Sequence, residues 1–300
     1  MATRQAVGLW AVVLAVVALL AVSGCSADPG AAAPIDKAKA PEVAKPAHEA
    51  VPAWAKVSQL QIDAARKVGV PVAKELDLGG KVTMKLALIP AGKFMMGEEK
   101  DQHEVTLSKP FYMGVTQVTQ AQYEAVIGTN PSQLKGPTNP VEVVSWDDAT
   151  GFCKKLSEKA RQAVRLPTEA EWEYACRAGT KTHFCFGDAD EGLGDYAWYS
   201  ANSEQKTHPV GQKKPNAWGL YDVHGNVWQW CADWYGDYPK GAVTDPQGAA
   251  SGSQRVLRGG SCYDNPEGCR AACRSRDGPG SRTNNSGFRV VVSLAGVDLK

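Results

Sequence analysis

A glycine or proline interrupts the chain every few residues from Gly79 onward, and this punctuation constrains the fold more than any other feature. The 300 residues hold 30 Gly and 18 Pro, and the apolar runs between them are short. Gly enters left-handed backbone freely and Pro cannot donate to a helix or a ladder, so long regular elements are excluded there. The expectation is short helices and strands joined by many turns. Such a domain needs its loops anchored by aromatic side chains, Arg/Glu pairs, disulfides or a cation.

The amino terminus has a different character. Arg4, an apolar run from Ala6 to Val22 and the small residues Ser23 and Gly24 before Cys25 have the layout of a signal peptide. The run is short for a bilayer span and the chain then turns polar, so residues 1–24 are expected to be removed. Val22-Ser23-Gly24-Cys25 resembles the bacterial lipobox, which makes Cys25 the expected lipidation site and an acyl anchor the expected attachment to a membrane. An ordinary cleavage site before an incidental cysteine is the alternative. Residues 25–53 are Ala, Pro, Lys and Glu with few large apolar side chains, a composition that cannot offset its ordering entropy. They read as a lipidated, disordered tether. In residues 54–78, Val57, Leu60, Ile62 and Val68 are spaced loosely as on a helix.

Residues 79–300 suffice for one domain with a substantial core. With 33 basic against 32 acidic residues and a net charge of +1, the chain has no electrostatic footprint for nucleic acid. Of eight cysteines, lipidation of Cys25 leaves seven, so at least one thiol stays unpaired in an oxidising compartment.

Two windows read as helices. Trp146 to about Leu156 follows Ser145 with Asp148 three residues on, and a second starts after Thr168 with Glu169 and Glu171 at the positive end of its dipole. Strands are expected at Val82 to Ile89, Phe111 to Val115, Arg255 to Arg258 and Phe288 to Ser293.

Seven phrases stand in a telling order: Ile89 to Gly97, Phe111 to Gly114 with Val118-Thr119, Pro140 to Trp146, Arg165 to Tyr174, Gly219 to Trp230, Arg258 to Ser261 and Gly287 to Arg289. Together they resemble the formylglycine-generating, or sulfatase-modifying factor, family across residues 79–296. The resemblance implies an α+β domain of the C-type-lectin-like kind, low in regular structure. Enzymes of that family use molecular oxygen to oxidise a sulfatase cysteine in a Cys-x-Pro-x-Arg context to formylglycine. They hold copper(I) between two thiolates, as a soft ion requires.

Their pair follows Gly-Gly-Ser as x-x-Cys-x4-Cys. Here the first position is Asp264, the segment is shorter, and the candidates Cys262 and Cys269 stand out of register. Two readings compete. Cys262 and Cys269 form a displaced soft-metal pair, or Cys176 bonds to Cys269 or Cys273, as the resemblance implies, and the chemistry is lost. A carboxylate at Asp264 cannot replace a thiolate for copper(I).

By the same resemblance Trp228 and Ser261 line a substrate groove, although a core aromatic and a turn serine read equally well. Asp222, Gly225, Val227 and Gln229 correspond to calcium ligands, two through side chains and two through carbonyls. Gln229 stands where the family usually has Glu, which removes a charge from the site. The five histidines, at 48, 103, 183, 208 and 224, show no metal-ligand spacing, and no hydrolase, phosphate-loop or dinucleotide motif occurs. Arg270, Arg274, Arg276, Arg282 and Arg289 are expected to pair with Glu169, Glu171 and Glu173. The leading expectation is a lipid-anchored envelope protein, periplasmic or surface-facing, that uses its domain to bind a protein or peptide partner. The alternative is an active, copper-dependent oxidase acting on a sulfatase.

Overall fold

Short elements follow one another as the punctuation requires. The computed structural model describes residues 50–294. The expected signal peptide, Cys25 and most of the expected tether lie outside the described residues. Helix α1 is Gln59–Val68, followed by strands β1 (Ala73–Gly79), β2 (Val82–Ile89), β3 (Gly92–Met96), β4 (His103–Leu107) and β5 (Phe111–Gly114). Then come α2 (Gln120–Ile127), α3 (Trp146–Ala160), β6 (Val164–Arg165), α4 (Glu169–Arg177) and α5 (Leu193–Tyr196). The remaining strands are β7 (Trp228–Trp234), β8 (Val243–Thr244), β9 (Arg255–Arg258), β10 (Arg274–Asp277), β11 (Ser286–Gly287) and β12 (Val291–Ser293).

Each of α1 to α4 begins with a reciprocal capping box, formed by Ser58 with Gln61, Thr119 with Gln122, Ser145 with Asp148 and Thr168 with Glu171. The side-chain oxygen satisfies an orphan N–H of the first turn while the third residue reaches back. The sequence reading used the last two. The same signal at Ser58 marks the start of the helix expected within residues 54–78, and at Thr119 it marks α2, which that reading missed.

The main sheet has the order β1-β2-β5-β12-β6, with antiparallel neighbours throughout. Its middle strands are buried on both faces. Leu86 and Leu88 of β2, Tyr112 of β5 and Val292 of β12 point into one core with Phe152 and Leu156 of α3. Ala87 and Ile89, Phe111 and Met113, and Val291 point into the other with Trp172 of α4. Successive side chains of a strand alternate faces, so an unbroken apolar run such as Leu86–Ile89 is what a two-sided core demands. Inserting β12 between β5 and β6 ties the end of the domain to its start.

Residues 54–78 hold the expected helix, as α1, and most of β1, and they pack onto the domain. The β1 strand pairs along β2, and Gln61, fully buried, donates its amide to the carbonyls of Leu88 and Trp218 at 2.9 and 3.1 Å. Val72, Leu76 and Leu78 belong to the core. The expected strand at Phe288 to Ser293 shortens to β12; Phe288 and Arg289 before it are fully buried, and the Phe288 carbonyl accepts the Val118 N–H at 2.9 Å.

Two smaller sheets, β10-β9-β7-β11 and β3-β4-β8, were illegible beforehand except for β9. Among the described residues no helix is long and apolar enough to cross a membrane.

Candidate functional site

The expected site residues converge where β7 and β9 lie side by side. Gln229 of β7 is opposite Arg258 of β9, so the loop before β7 and the turn after β9 meet. The Cys262 N–H donates to the Asn226 carbonyl at 2.9 Å, and His224 Nδ1 lies 2.8 Å from the Cys269 carbonyl. Gly259 and Gly260 adopt φ of +102° and +70° there, and a Cβ at Gly260 would come within 2.8 Å of the Cys269 sulfur. Only glycine meets both demands.

Ser261 is buried and donates its hydroxyl to the Asp264 carboxylate, while Tyr263 N–H donates to Ser261 Oγ at 3.2 Å. Cys262 and Cys269 are each 0 % exposed. Burial pushes the Cys262 thiol up to about 12 and the Cys269 thiol upward as well, with Asp264 reinforcing both. These are protonated thiols sealed from solvent. A copper(I) pair open to a substrate cysteine would need both sulfurs as thiolates and within reach of solvent. Trp228 heads β7 beside Ser286 and is 8 % exposed, largely taken into the core.

The disulfide expected from Cys176 to Cys269 or Cys273 is not formed: all three are free thiols. The Cys176 sulfur lies 3.6 Å from the Val223 carbonyl and 3.9 Å from His224 Nε2. His224 in turn accepts the Cys185 N–H at 3.0 Å and bonds Cys269 through its carbonyl, so an imidazole occupies the place a second sulfur needs. Burial lowers His224 to about 4, which keeps the ring neutral and suits Nε2 as acceptor and Nδ1 as donor.

Of the four expected calcium ligands, the Gly225 and Val227 carbonyls meet at one point, where Asp222 contributes its backbone carbonyl in place of its side chain, while the Gln229 side-chain oxygen is engaged elsewhere. The carbonyls of Asp222, Gly225 and Val227 lie 3.1, 3.0 and 3.0 Å from Nε2 of Gln117, a residue the sequence reading did not single out. Asp222 takes φ +54° and accepts the Gly211 N–H at 2.8 Å through one oxygen. Burial pushes its carboxyl up to about 6, opposed by that bond and by Arg289. Gln229 Oε1 accepts from Trp172 Nε1 at 3.0 Å and from Arg289 Nε.

The charged residues sort differently from the expectation. Arg274 pairs with both oxygens of Glu169 at 2.6 and 2.8 Å, as foreseen. Glu171, however, belongs to Arg165, and Glu173 to Arg177 and Arg258. Arg282 meets Asp148, Arg276 lies over Tyr235, and Arg289 serves the Asp222 loop. Beside Glu169 a cavity of about 400 Å³ is lined by Met96, His103, Asp233, Tyr238, Val243 and Arg274. These come from five separate segments, so no local pattern announces them.

Residues 79–294 match the family model described as the sulfatase-modifying factor enzyme 1-like domain. The chain belongs to this family. Among sulfatase-modifying-factor relatives, the formylglycine-generating enzyme of Streptomyces coelicolor is 37% identical over 170 residues, covering 51% of this chain and 52% of that protein. The protein named chaperone protein LppX of Paenibacillus barcinonensis is 32% identical over 205 residues, covering 51% of this chain and 73% of that one. The chain spans about half the length of the formylglycine-generating enzymes it matches. A solved structure, the Treponema denticola variable protein 1, is 34% identical with a TM-score of 0.71, covering 74% of this chain and 99% of that one. The fold is therefore the α+β, C-type-lectin-like domain of the family.

Proposed function

We propose that this family member is a lipid-anchored protein of the bacterial cell envelope that binds a protein or peptide partner and does not oxidise one. The reading rests above all on Cys262 and Cys269: both are sealed and protonated, and the first family thiol position is a carboxylate engaged by Ser261. A relative named as a chaperone protein is consistent with a binding role in this family. Under the alternative, a copper-dependent oxidase acting on a sulfatase, the segment 262–269 must open to expose both sulfurs.

The purified protein, given copper(I), oxygen and a Cys-x-Pro-x-Arg peptide, is expected to yield no aldehyde by mass spectrometry while a formylglycine-generating enzyme run in parallel converts it. Conversion that vanishes in Cys262→Ser or Cys269→Ser overturns the proposal.

Anchoring is a separate proposal, carried by Val22-Ser23-Gly24-Cys25. In Cys25→Ser the protein is expected to leave the membrane fraction for the soluble one; unchanged fractionation sinks the anchor and leaves the binding role to be judged by the peptide assay.

A further inference from the structure

A loop that gathers backbone carbonyls in a fully buried place needs something positive at its centre. Asp222, Gly225 and Val227 turn three carbonyl oxygens to one point, and Asp222, Val227, Gln229, Gln117 and Arg289 are each no more than 1 % exposed. Three acceptors facing each other without a donor would repel and lose their hydration. Two agents meet such a demand: a cation, or N–H groups brought in from elsewhere in the chain.

The cation is a poor fit. Calcium requires six to eight oxygens and draws its affinity from anionic ligands. The Gly225 and Val227 carbonyls already face the Gln117 amide, and the Gln229 oxygen already accepts two donors. Asp222 is the sole carboxylate of the set; one of its oxygens is committed to Gly211, while the other, like Gln117 Oε1, is buried without a hydrogen-bond partner. Its charge is offset by Arg289, which is fully buried and donates to the carbonyls of Tyr221 and Asp222 at 2.8 and 3.2 Å. With the carboxylate and guanidinium cancelling, a divalent ion would add two uncompensated charges in a place without water, which is prohibitive.

We propose that the Gln117 side-chain amide is a built-in replacement for a metal ion: it caps the carbonyls of the 222–227 loop, and the loop holds its shape without calcium. Gln117 lies just beyond β5, which the main sheet holds between β2 and β12, so the amide arrives on a rigid support. Arg289 arrives from the segment just before β12. The loop is thus clamped by two residues separated from it by 60 to 110 positions. The Gln117 amide faces three carbonyls, and the Asp222 carbonyl accepts from Gln229 Nε2 and Arg289 as well, so only donors meet these oxygens and the position is sensitive to the sign of its occupant. A carboxylate at position 117 would turn oxygen toward oxygen and convert the same cradle into one that requires a cation.

The test uses the whole protein in calorimetry with calcium chloride or with a chelator. The wild type is expected to melt at the same temperature in both and to give no heat of stoichiometric calcium binding. The double variant Gln117→Glu with Gln229→Glu is expected to melt lower in chelator and to recover when calcium is added. A wild-type Tm that rises by several degrees with calcium, with the rise lost in Asp222→Asn, overturns the proposal. If the double variant fails to fold, the wild type still decides by proton exchange. The proposal expects the Gln117 side-chain amide protons to exchange slowly in chelator, whereas rapid exchange there, slowed only by calcium, refutes it.

Discussion

Glu173→Gln is expected to lower stability by about 3–5 kcal/mol, because it leaves a buried guanidinium without its anion. Glu173 and Arg258 are both 0 % exposed and form a direct ion pair. The other Glu173 oxygen accepts from Arg177 Nε at 2.8 Å and from the Gly97 N–H at 2.9 Å, so one carboxylate ties α4, β9 and the end of β3 together. Glutamine keeps the shape and loses the charge. Arg258 then retains Glu169 as its one carboxylate, 3.3 Å from its Nε, together with the Cys273 carbonyl, and Arg177 loses its carboxylate. Thermal unfolding of the variant is expected to begin lower by about 10 °C, given the size of the domain. Arg258→Met alone is expected to lose a similar amount, and the two changes together less than their sum, since Arg258 is then no longer left as an open charge and only Arg177 lacks its carboxylate. A loss under about 1 kcal/mol for Glu173→Gln means that the buried network tolerates an open charge and refutes this account.

Asp233→Asn is expected to stabilise the domain at pH 8 and to leave it nearly unchanged at pH 4. Asp233 is 3 % exposed and accepts the Glu169 N–H at 2.8 Å, capping α4 from the side. Burial pushes its carboxyl up to about 7, reinforced by the negative charges of Glu169 and Glu171. The native state therefore keeps the proton up to about pH 7, whereas the unfolded chain releases it near pH 4. Between those values the native state binds more protons, so rising pH costs stability, on the order of 4 kcal/mol across the interval, and the loss persists above it. Asparagine still accepts the Glu169 N–H and never ionises. Denaturant titrations of wild type and variant at pH 4 and pH 8 measure the difference, and an equal effect at both values rules out Asp233 as its origin. The same carboxyl lines the cavity beside Glu169, so its protonation also sets the charge of that wall.

The helix starts at Ser145 and Thr168, the strands at Val82 and Arg255 and the seven ordered phrases were legible in the sequence, because each depends on residues within a few positions of one another. A hydroxyl three residues before an acid, ahead of an apolar helical run, is a local capping signal, and the phrase order alone placed the chain in its family. The turn Gly259-Gly260-Ser261 was legible for the same reason: only glycine tolerates that backbone beside a packed sulfur.

Burial and the choice of hydrogen-bond partner were decided by the tertiary structure. Nothing local distinguishes Gln117 from any glutamine; its amide matters because the main sheet carries it to a loop more than 100 residues away. The sequence left Cys176 free to pair with a thiol, and the fold gave it His224 as a neighbour instead. Cys262 and Cys269 were open to reading as a displaced soft-metal pair or as structural thiols, and packing encloses them both. Short-range patterns settle which elements form, since backbone hydrogen bonds and caps are satisfied locally. The charge state and accessibility of a side chain depend on everything packed around it, and that is known only once distant segments have met.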